Sequence, residues 1–383
     1  MNITGANKIE LLKKGQKQIF LMGDYHYHYK KDGCSVLSLK KTMLVPEFIE
    51  NIVKTHDDKN WDFYFEQGVM TIDGNPDYDF LNKIKEHPSN SLIKESAKEY
   101  KKYVSLWNKN EISLLNLTNI YFTMIGCIPK SKNCPKNLRL HFIDIRQKYF
   151  GKCQIGKVHY HKNFYDNLFD AFDNEDFETF IDNIIDSYKE LLINCSPTQT
   201  KVTNQVFKSE IPDKVMDFFE KKISGIINLM SDLLKILEKE REKIIELFEK
   251  DLLNETISAG KYILAECKKI DAFDRLKRID EGFKSSKKID FLWEVMFVYI
   301  ITIMDMYALG RMTKPNNKNM IVLAGMNHIE RYRDFFIKEG WKSEWTAKQP
   351  YKKCSEVPLS ILEKGVTGRT KKRRTKKKQK IDL

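Results

Sequence analysis

Four short apolar runs, separated by long stretches with helical spacing, constrain the fold of this chain more than any other feature. The runs are residues 18–22 (QIFLM), 61–65 (WDFYF), 139–145 (RLHFIDI) and 319–324 (NMIVLA). Short apolar runs of this kind are typical of buried strands, and strands that alternate with helices form mainly parallel sheets. The sequence therefore predicts an α/β fold, with a mainly parallel central sheet, flanking helices and a large helical insertion before the last strand.

The insertion is the longest part of the chain without a strand signal. From residue 163 to residue 312 the pattern is almost wholly helical, with apolar residues recurring every three or four positions. We therefore divide the chain into a first part of the α/β core (1–160), a helical insertion or cap (161–312), a last part of the core (313–365) and a disordered basic tail (366–383). The pattern leaves open whether the insertion covers the sheet as a lid or stands apart as a subdomain.

The cysteine content and the first residues of the chain indicate the cellular compartment in which the protein works. The 383 residues are 42% hydrophobic, which is ample for a core that needs no covalent staples. Seven cysteines, an odd number with no C-x-x-C pair, argue against a zinc knuckle or a disulfide framework and favour a reducing compartment. The first 15 residues lack the apolar stretch of a secretory signal. We expect an intracellular protein, cytoplasmic or nuclear.

One apolar run has nearly the length of a membrane span. Residues 291–309 contain Glu294 and Asp305, and both carboxylates would be costly inside a bilayer. We therefore expect a buried helix here and no membrane span.

The basic character of the chain is concentrated at its end. The formal net charge is +13, and residues 369–383 (RTKKRRTKKKQKIDL) hold nine basic residues against one acidic residue. Such a tail binds nucleic acid through phosphate neutralisation, is read by import receptors through residues 369–380, or is simply a solvated end. The frequent lysine, asparagine and isoleucine indicate an AT-rich genome, such as that of a large DNA virus or a microbial parasite.

Two copies of a G-x-x-H pattern, Gly23 to His26 and Gly325 to His328, each directly follow one of the strand-like runs. A glycine where a strand stops lets the backbone turn sharply, and the histidine then projects from the carboxyl end of the strand. Open parallel sheets hold their ligands at this edge. We therefore expect the two histidines, about 300 residues apart in sequence, to meet at one site.

Each predicted strand is followed by polar side chains that chemistry could use. In chain order these are Asp24, His26 and His28, then Glu66, then Asp144 and Arg146, and finally Asn327 and His328. Two histidines and a carboxylate make a first shell for a divalent metal ion with positions left open for water and substrate. Such an ion lowers the pKa of water and polarises a carbonyl or phosphoryl oxygen.

Three segments carry a resemblance to a known family. FLMGDYHYHY, DFYFEQG and VLAGMNHIERYRDFFIKEGW resemble the motifs of the Tiki/TraB family, within a wider set that includes erythromycin esterase-like and ChaN-like proteins. The resemblance covers about the first 150 and the last 65 residues. It implies a metal-dependent protease centre in which His26, Glu66 and His328 form the metal-binding or catalytic core.

The resemblance extends to supporting residues and has limits. It implies turn-shaping roles for Gly23 and Gly325, and the run FIDIR resembles the family's strand-end Asp144 and Arg146. Asp24 departs from the uncharged residue usual in Tiki-like members and matches the acidic residue of the esterase-like branch. Tiki proteins are membrane-tethered and extracellular, and we expect neither feature here.

Other polar residues carry alternative interpretations. His28 is either a further ligand or part of an aromatic ladder, and His159 with His161 is either a ligand pair or an exposed polar segment. Glu66 needs a partner, which is either a metal or Arg146. Asp305, inside an apolar helix pattern, either pairs with Arg311 or orients a ligand histidine.

Our leading hypothesis is a metal-dependent hydrolase in which a manganese, cobalt or zinc ion activates water for attack on a peptide or ester carbonyl. Asp24 or Glu66 acts as the general base, Arg146 stabilises developing negative charge, and Asp144 is a further catalytic candidate by the resemblance. The alternative is a non-catalytic binding protein on the same fold. It would be tethered to nucleic acid by its tail, or would bind haem or iron as ChaN does.

Overall fold

The computed structural model describes residues 2–24, 42–66, 100–108, 112–127, 134–144, 176–193, 211–250, 255–270, 272, 291–348 and 354–356. The predictions for His26, His28, Arg146, His159, His161 and the basic tail concern residues outside these ranges.

A six-stranded sheet forms the centre of the molecule. In chain order its strands are β2 (Lys8–Lys14), β3 (Lys17–Asp24), β5 (Trp61–Phe65), β6 (Leu138–Phe142), β7 (Asn319–Gly325) and β8 (Lys342–Lys348). Their order across the sheet is β6-β5-β7-β3-β2-β8. The first four strands in this order are parallel to one another, and β2 is antiparallel to both β3 and β8. The predicted α/β fold with a mainly parallel sheet is confirmed.

A second, smaller sheet joins three short strands, β1 (Asn2–Thr4), β4 (Thr42–Leu44) and β9 (Cys354–Glu356). β1 lies between the other two, parallel to β4 and antiparallel to β9. This sheet therefore ties the start of the chain to a segment near residue 355.

Eight labelled helices accompany the sheets among the described residues. They are α1 (Val45–Thr55), α2 (Leu114–Met124), α3 (Phe177–Ile193), α4 (Asp213–Lys239), α5 (Arg241–Lys250), α6 (Glu255–Lys269), α7 (Phe291–Met312) and α8 (Met326–Lys338). Residues 100–108 are also helical.

Helices cover both faces of the central sheet, and successive side chains along each strand pack on opposite faces. In β3, Phe20 and Met22 pack in one core with residues of α1 and α2, whereas Ile19 and Leu21 pack in the other. That other core contains residues of all six helices from α3 to α8. The molecule therefore has three layers, with the sheet in the middle.

The helical region between β6 and β7 packs on the sheet. Buried residues of α3, α4 and α7 belong to the same hydrophobic cluster as Met320 and Val322 of β7. Helix α7 contains the predicted apolar run, and Glu294–Met312 is the one described segment long and apolar enough to cross a membrane. Of that window 72% is buried within the protein, as in the core helix of a globular fold.

Three local predictions need correction. The third strand was placed at residues 139–145, but β6 ends at Phe142. The sequence pattern also does not predict the lysine-containing strands β2 and β8, of which β8 is the edge strand and β2 is its neighbour. The disulfide argument from the cysteine count was also wrong for one pair, since Cys127, just after α2, and Cys134, before β6, form a disulfide. The fold brings their Cα atoms to 4.2 Å, and an odd total does not exclude a single bond.

Candidate functional site

The carboxyl ends of the parallel strands meet at one edge of the sheet. Asp24, the last residue of β3, is in register with Gly325, the last residue of β7. Glu66 directly follows β5, and its backbone N–H donates to the Leu323 carbonyl of β7 at 3.0 Å. The strand ends therefore bring Asp24, Glu66 and the start of α8 together, as the strand pattern predicts.

Glu66 is fixed by the chain that enters α8. Its side chain is buried, and its Oε2 atom accepts a short hydrogen bond from the Gly325 backbone N–H. Its Oε1 atom lies 3.2 Å from Nε2 of His328, which sits in the first turn of α8. The second G-x-x-H motif therefore contacts the intervening carboxylate through both its glycine and its histidine.

Asp305 holds the other side of the histidine ring. This carboxylate is fully buried on α7, and its Oδ1 atom lies 2.5 Å from Nδ1 of His328. Its Oδ2 atom accepts a short hydrogen bond from Arg331, one helical turn after His328 on α8. Of the two partners that the sequence left open for Asp305, the structure selects the histidine.

The two carboxylates set the charge of the histidine. Burial alone would lower the pKa of His328, but the negative charges of Asp305 and Glu66 outweigh burial and raise its pKa to about 10. For Asp305, burial alone would raise the pKa, and His328 and Arg331 together lower it. The ring is therefore an imidazolium at neutral pH when only these residues surround it.

Two further side chains, Tyr332 and Lys222, lie next to the buried line of side chains Glu66–His328–Asp305. The Tyr332 hydroxyl lies one turn beyond His328, and burial together with Asp305 and Glu66 raises its pKa well above the usual range. Lys222 on α4 is half-buried; burial and the positive charge of Arg331 lower its pKa to about 8, while Asp305 opposes that shift. Helix α4 of the inserted region thus contributes a cation close to the carboxylate on α7.

Gly325 lies at the turn from β7 into α8, whereas Gly23 lies inside β3, one residue before its end. Neither has the positive φ that favours glycine, and Gly325 has a φ of −58° that other residues adopt. Gly23 lies within β3, and a Cβ atom there would come within 2.8 Å of the Met326 sulfur. A side chain at this position would require the Met326 side chain to shift, so Gly23 lets α8 pack closely against the strand.

Some predicted site residues remain unplaced or peripheral. His26 and Arg146 lie outside the described residues, two positions beyond Asp24 and Asp144 respectively. Asp144 is half-buried after β6, the strand at the far side of β5 from β7. Among the described residues, no group of three or more histidine, cysteine, aspartate or glutamate side chains is arranged to hold a metal ion. The predicted metal ligands His26, Glu66 and His328 include His26, which lies outside the described residues, so this finding does not cover the whole predicted set.

The donor atoms that are described fit one side of a metal site. Two ligands with bonds of about 2.0–2.2 Å to one ion lie roughly 3 Å apart, and Glu66 Oε1 and His328 Nε2 are 3.2 Å apart. Metal-ligating histidines usually donate the other ring N–H to a carboxylate, as Nδ1 does to Asp305. Glu66 and His328 could therefore hold a divalent cation in place of the proton between them.

Comparison with protein-family models, curated proteins and solved structures finds no match to this chain. Arguments about function therefore depend on the site itself and on the resemblance carried by its motifs.

Sequence reasoning overlooked two members of the site. Arg331 stands in the quoted segment HIER, three residues after His328, and this spacing places both side chains on one face of a helix. That spacing was a usable signal. Lys222 had none, because it is one of many lysines on an amphipathic helix and only the packing of α4 brings it near Asp305.

Proposed function

We propose that this protein is a metal-dependent hydrolase of ester or peptide bonds, with its active site at the carboxyl edge of the central sheet. The observation that carries the proposal is the buried line Glu66–His328–Asp305, in which one ring nitrogen is held by Asp305 and the other faces Glu66. Three separate parts of the chain supply these side chains, and clusters of buried, mutually paired charges with shifted pKa values are frequent at active sites.

In this proposal Glu66 and His328 hold a divalent cation, manganese, cobalt or zinc, and His26 is a third ligand by its motif. Such an ion, when bound, lowers the pKa of water and polarises a carbonyl oxygen. Asp305 positions His328 by accepting from Nδ1, so that Nε2 is aimed at the space beside Glu66 Oε1. The Gly325 N–H fixes the carboxylate of Glu66 in the same way.

Asp24 is the proposed base because it ends the strand next to β7, beside Gly325. It takes a proton from water while the water oxygen bonds to the carbonyl carbon. The carbon–oxygen bond of the ester or carbon–nitrogen bond of the peptide then breaks, and the leaving group receives that proton. The products are a carboxylic acid and an alcohol or amine.

The test combines metal binding with hydrolysis on the full-length protein. Metal-free protein should bind about one manganese or zinc ion by calorimetry, and should then hydrolyse members of a panel of p-nitrophenyl esters and fluorogenic peptides. Glu66→Gln and His328→Ala should abolish tight binding and lower the hydrolysis rate by about 10²–10⁴. Glu344→Gln, an exposed carboxylate on β8, is the matched control and should leave both unchanged. If the protein binds no divalent ion and the variants hydrolyse like the wild type, the proposal is wrong.

A further inference from the structure

A cavity of about 370 Å³ lies at the opposite edge of the central sheet from the candidate active site. Its walls come from the turn between β2 and β3, the ends of α7 and α8, the start of α4 and the residues that lead into β7. These are the amino ends of β3 and β7, whereas Asp24 and His328 lie at their carboxyl ends. The cavity is therefore separate from the Glu66–His328–Asp305 line.

The inner wall of the cavity is apolar and aromatic. It consists of Met312, Met320, Phe335, Phe336 and Trp341, each no more than 7% exposed. The Phe336 and Trp341 rings meet edge to face, with centroids 4.9 Å apart. Aromatic rings and thioethers favour contact with a flat apolar group.

The rim of the cavity is strongly basic. Lys14, Lys17, Lys214 and Lys318 line it, and Glu339 is the one carboxylate among the lining residues that the structure describes. Lys14 donates to the Glu339 carbonyl at 2.5 Å and Lys17 to the Pro315 carbonyl at 3.1 Å. Lys214 lies 3.5 Å from the Glu339 carboxylate. A hydrogen bond to a carbonyl oxygen uses one of the three N–H donors of a lysine and does not neutralise its positive charge, so Lys14 and Lys17 remain cationic.

The charge balance of the cavity favours an anion. Four lysines and one glutamate are among the described lining residues, and the carboxyl ends of α7 and α8 add only about half a negative charge each. The net charge of the cavity lining therefore stays positive even when the partial negative charges of both helix ends are included. A ligand with a negative head and an apolar body would match both the rim and the inner wall.

We propose that this cavity binds a small aromatic carboxylate, whose ring packs on the Phe336 and Trp341 wall and whose charge meets the lysine rim. The volume is near the lower end of the range for small-molecule pockets, about 300–1,000 Å³, and suits a ligand with one or two fused rings. The inference does not depend on the proposed hydrolase activity.

Three probes with one aromatic body and different charges test this on the full-length protein. Binding of 2-naphthoate, 2-naphthylmethanol and 2-naphthylmethylamine is measured by calorimetry at low ionic strength. We expect 2-naphthoate to bind at least tenfold more tightly than the alcohol and the amine not to bind detectably. Equal affinity for the acid and the alcohol would show that the rim does not recognise charge, and would overturn the proposal.

Charge-reversal variants locate the site. Lys214 and Lys318 are exposed, so Lys214→Glu combined with Lys318→Glu should fold normally and bind 2-naphthoate at least tenfold more weakly. Lys318→Gln alone removes one charge and should weaken binding about threefold. Lys235→Glu, at an exposed position of α4 outside the cavity, is the control and should change affinity less than twofold. Unchanged affinity in the double variant would place any binding elsewhere and refute the inference.

Discussion

At the scale of single residues, His328 shows how a buried ring is held in one orientation. Each nitrogen faces a carboxylate from a different element, Glu66 after β5 and Asp305 on α7. A ring flip would exchange nitrogens with carbons and break both contacts. The arrangement therefore fixes which nitrogen faces the strand ends, as a catalytic or ligating histidine requires.

Asp305→Asn should damage the site more than the size of the change suggests. The amide keeps the shape but removes the charge that His328 and Arg331 compensate, leaving two cations without their buried partner. We expect a loss of about 3–5 kcal/mol in the free energy of unfolding, and a 10- to 100-fold loss of metal affinity or hydrolysis. Denaturant unfolding and calorimetry measure the two effects.

The matched control for this substitution is Asp334→Asn on α8, whose carboxylate is 66% exposed. It should change stability by no more than about 0.5 kcal/mol. A similarly small loss of stability for Asp305→Asn would contradict the buried charge pairing, and unchanged metal affinity and hydrolysis would contradict the positioning role of Asp305.

Lys222 should titrate unlike a surface lysine. Because burial and Arg331 lower its pKa to about 8, its labelling rate with an acylating reagent should reach half of its maximum near pH 8. Asp305 works against this shift, so Asp305→Asn should move the midpoint to a lower pH. Mass spectrometry of labelled peptides measures the rate, with the exposed Lys221 as internal reference. A midpoint near 10.5, the ordinary value for lysine, would show that the amine is solvated.

Part of the candidate site could be predicted from the residue pattern. Asp24, Glu66 and His328 directly follow strong strand signals, so their convergence follows from parallel pairing alone. The choice between two partners for Asp305 depends instead on how α7 crosses α8. That crossing angle is set by side-chain packing over the whole helical layer, and sequence spacing does not contain it.

At the scale of elements, the pairing of β5 with β6 is reinforced by a polar cluster. Asp62 of β5 is buried and accepts hydrogen bonds from Arg139 at 2.7 Å and His141 at 2.8 Å, both on β6. The Tyr64 ring stacks on His141 with centroids 4.7 Å apart, and Arg311 approaches the other ring nitrogen. The cluster links the edge strand to the sheet and to the end of α7.

This cluster should make stability depend on acid pH. Burial alone would raise the pKa of Asp62, but His141 and Arg139 outweigh it and lower the pKa below 3.8. A carboxylate with a lowered folded-state pKa stabilises the protein above its unfolded pKa and loses this effect as pH falls through the folded value. Asp62→Asn should therefore cost about 2 kcal/mol at pH 7 and progressively less below pH 4. Urea unfolding of both proteins at several pH values measures the difference.

Asp58→Asn, in the exposed turn before β5, is the control and should show no such pH dependence. If the difference between wild type and Asp62→Asn is the same at pH 7 and pH 3, ionisation of Asp62 does not stabilise the β5–β6 pair.

Elements differed in how well the sequence predicted them. The buried parallel strands were predicted because both faces are apolar, so the runs are nearly continuous. Strands β2 (KIELLKK) and β8 (KSEWTAK) mix lysine and glutamate with apolar residues, and on the edge strand β8 such charged side chains discourage association. Strand β8 pairs with the distant β2, so only the assembled sheet identifies it as a strand, whereas β2 pairs with the adjacent β3 across the turn at Gly15 and Gln16.

At the scale of the whole molecule, the inserted helices and the sheet share one hydrophobic core. Residues of α3, α4 and α7 pack in the same cluster as strand residues from β2, β3, β5 and β7. The same layer supplies Asp305 to the candidate active site and Lys214 to the lysine-rimmed cavity. The insertion is therefore a structural layer that builds both sites.

A shared core predicts that the helical layer and the sheet unfold together. Ile303 of α7 is fully buried, and Ile303→Ala should destabilise the protein by about 2–5 kcal/mol through lost burial and the cavity left behind. Hydrogen exchange followed by mass spectrometry should show the same loss of protection in peptides from α4 and from β7, because neither layer keeps its apolar face covered without the other. Ile337→Ala on α8, at an isoleucine that is 37% exposed, makes the same chemical change outside the core and should have a much smaller effect. Loss of protection confined to the helices, with β7 unchanged, would mean that the insertion is a separate folding unit resting on an independently stable sheet.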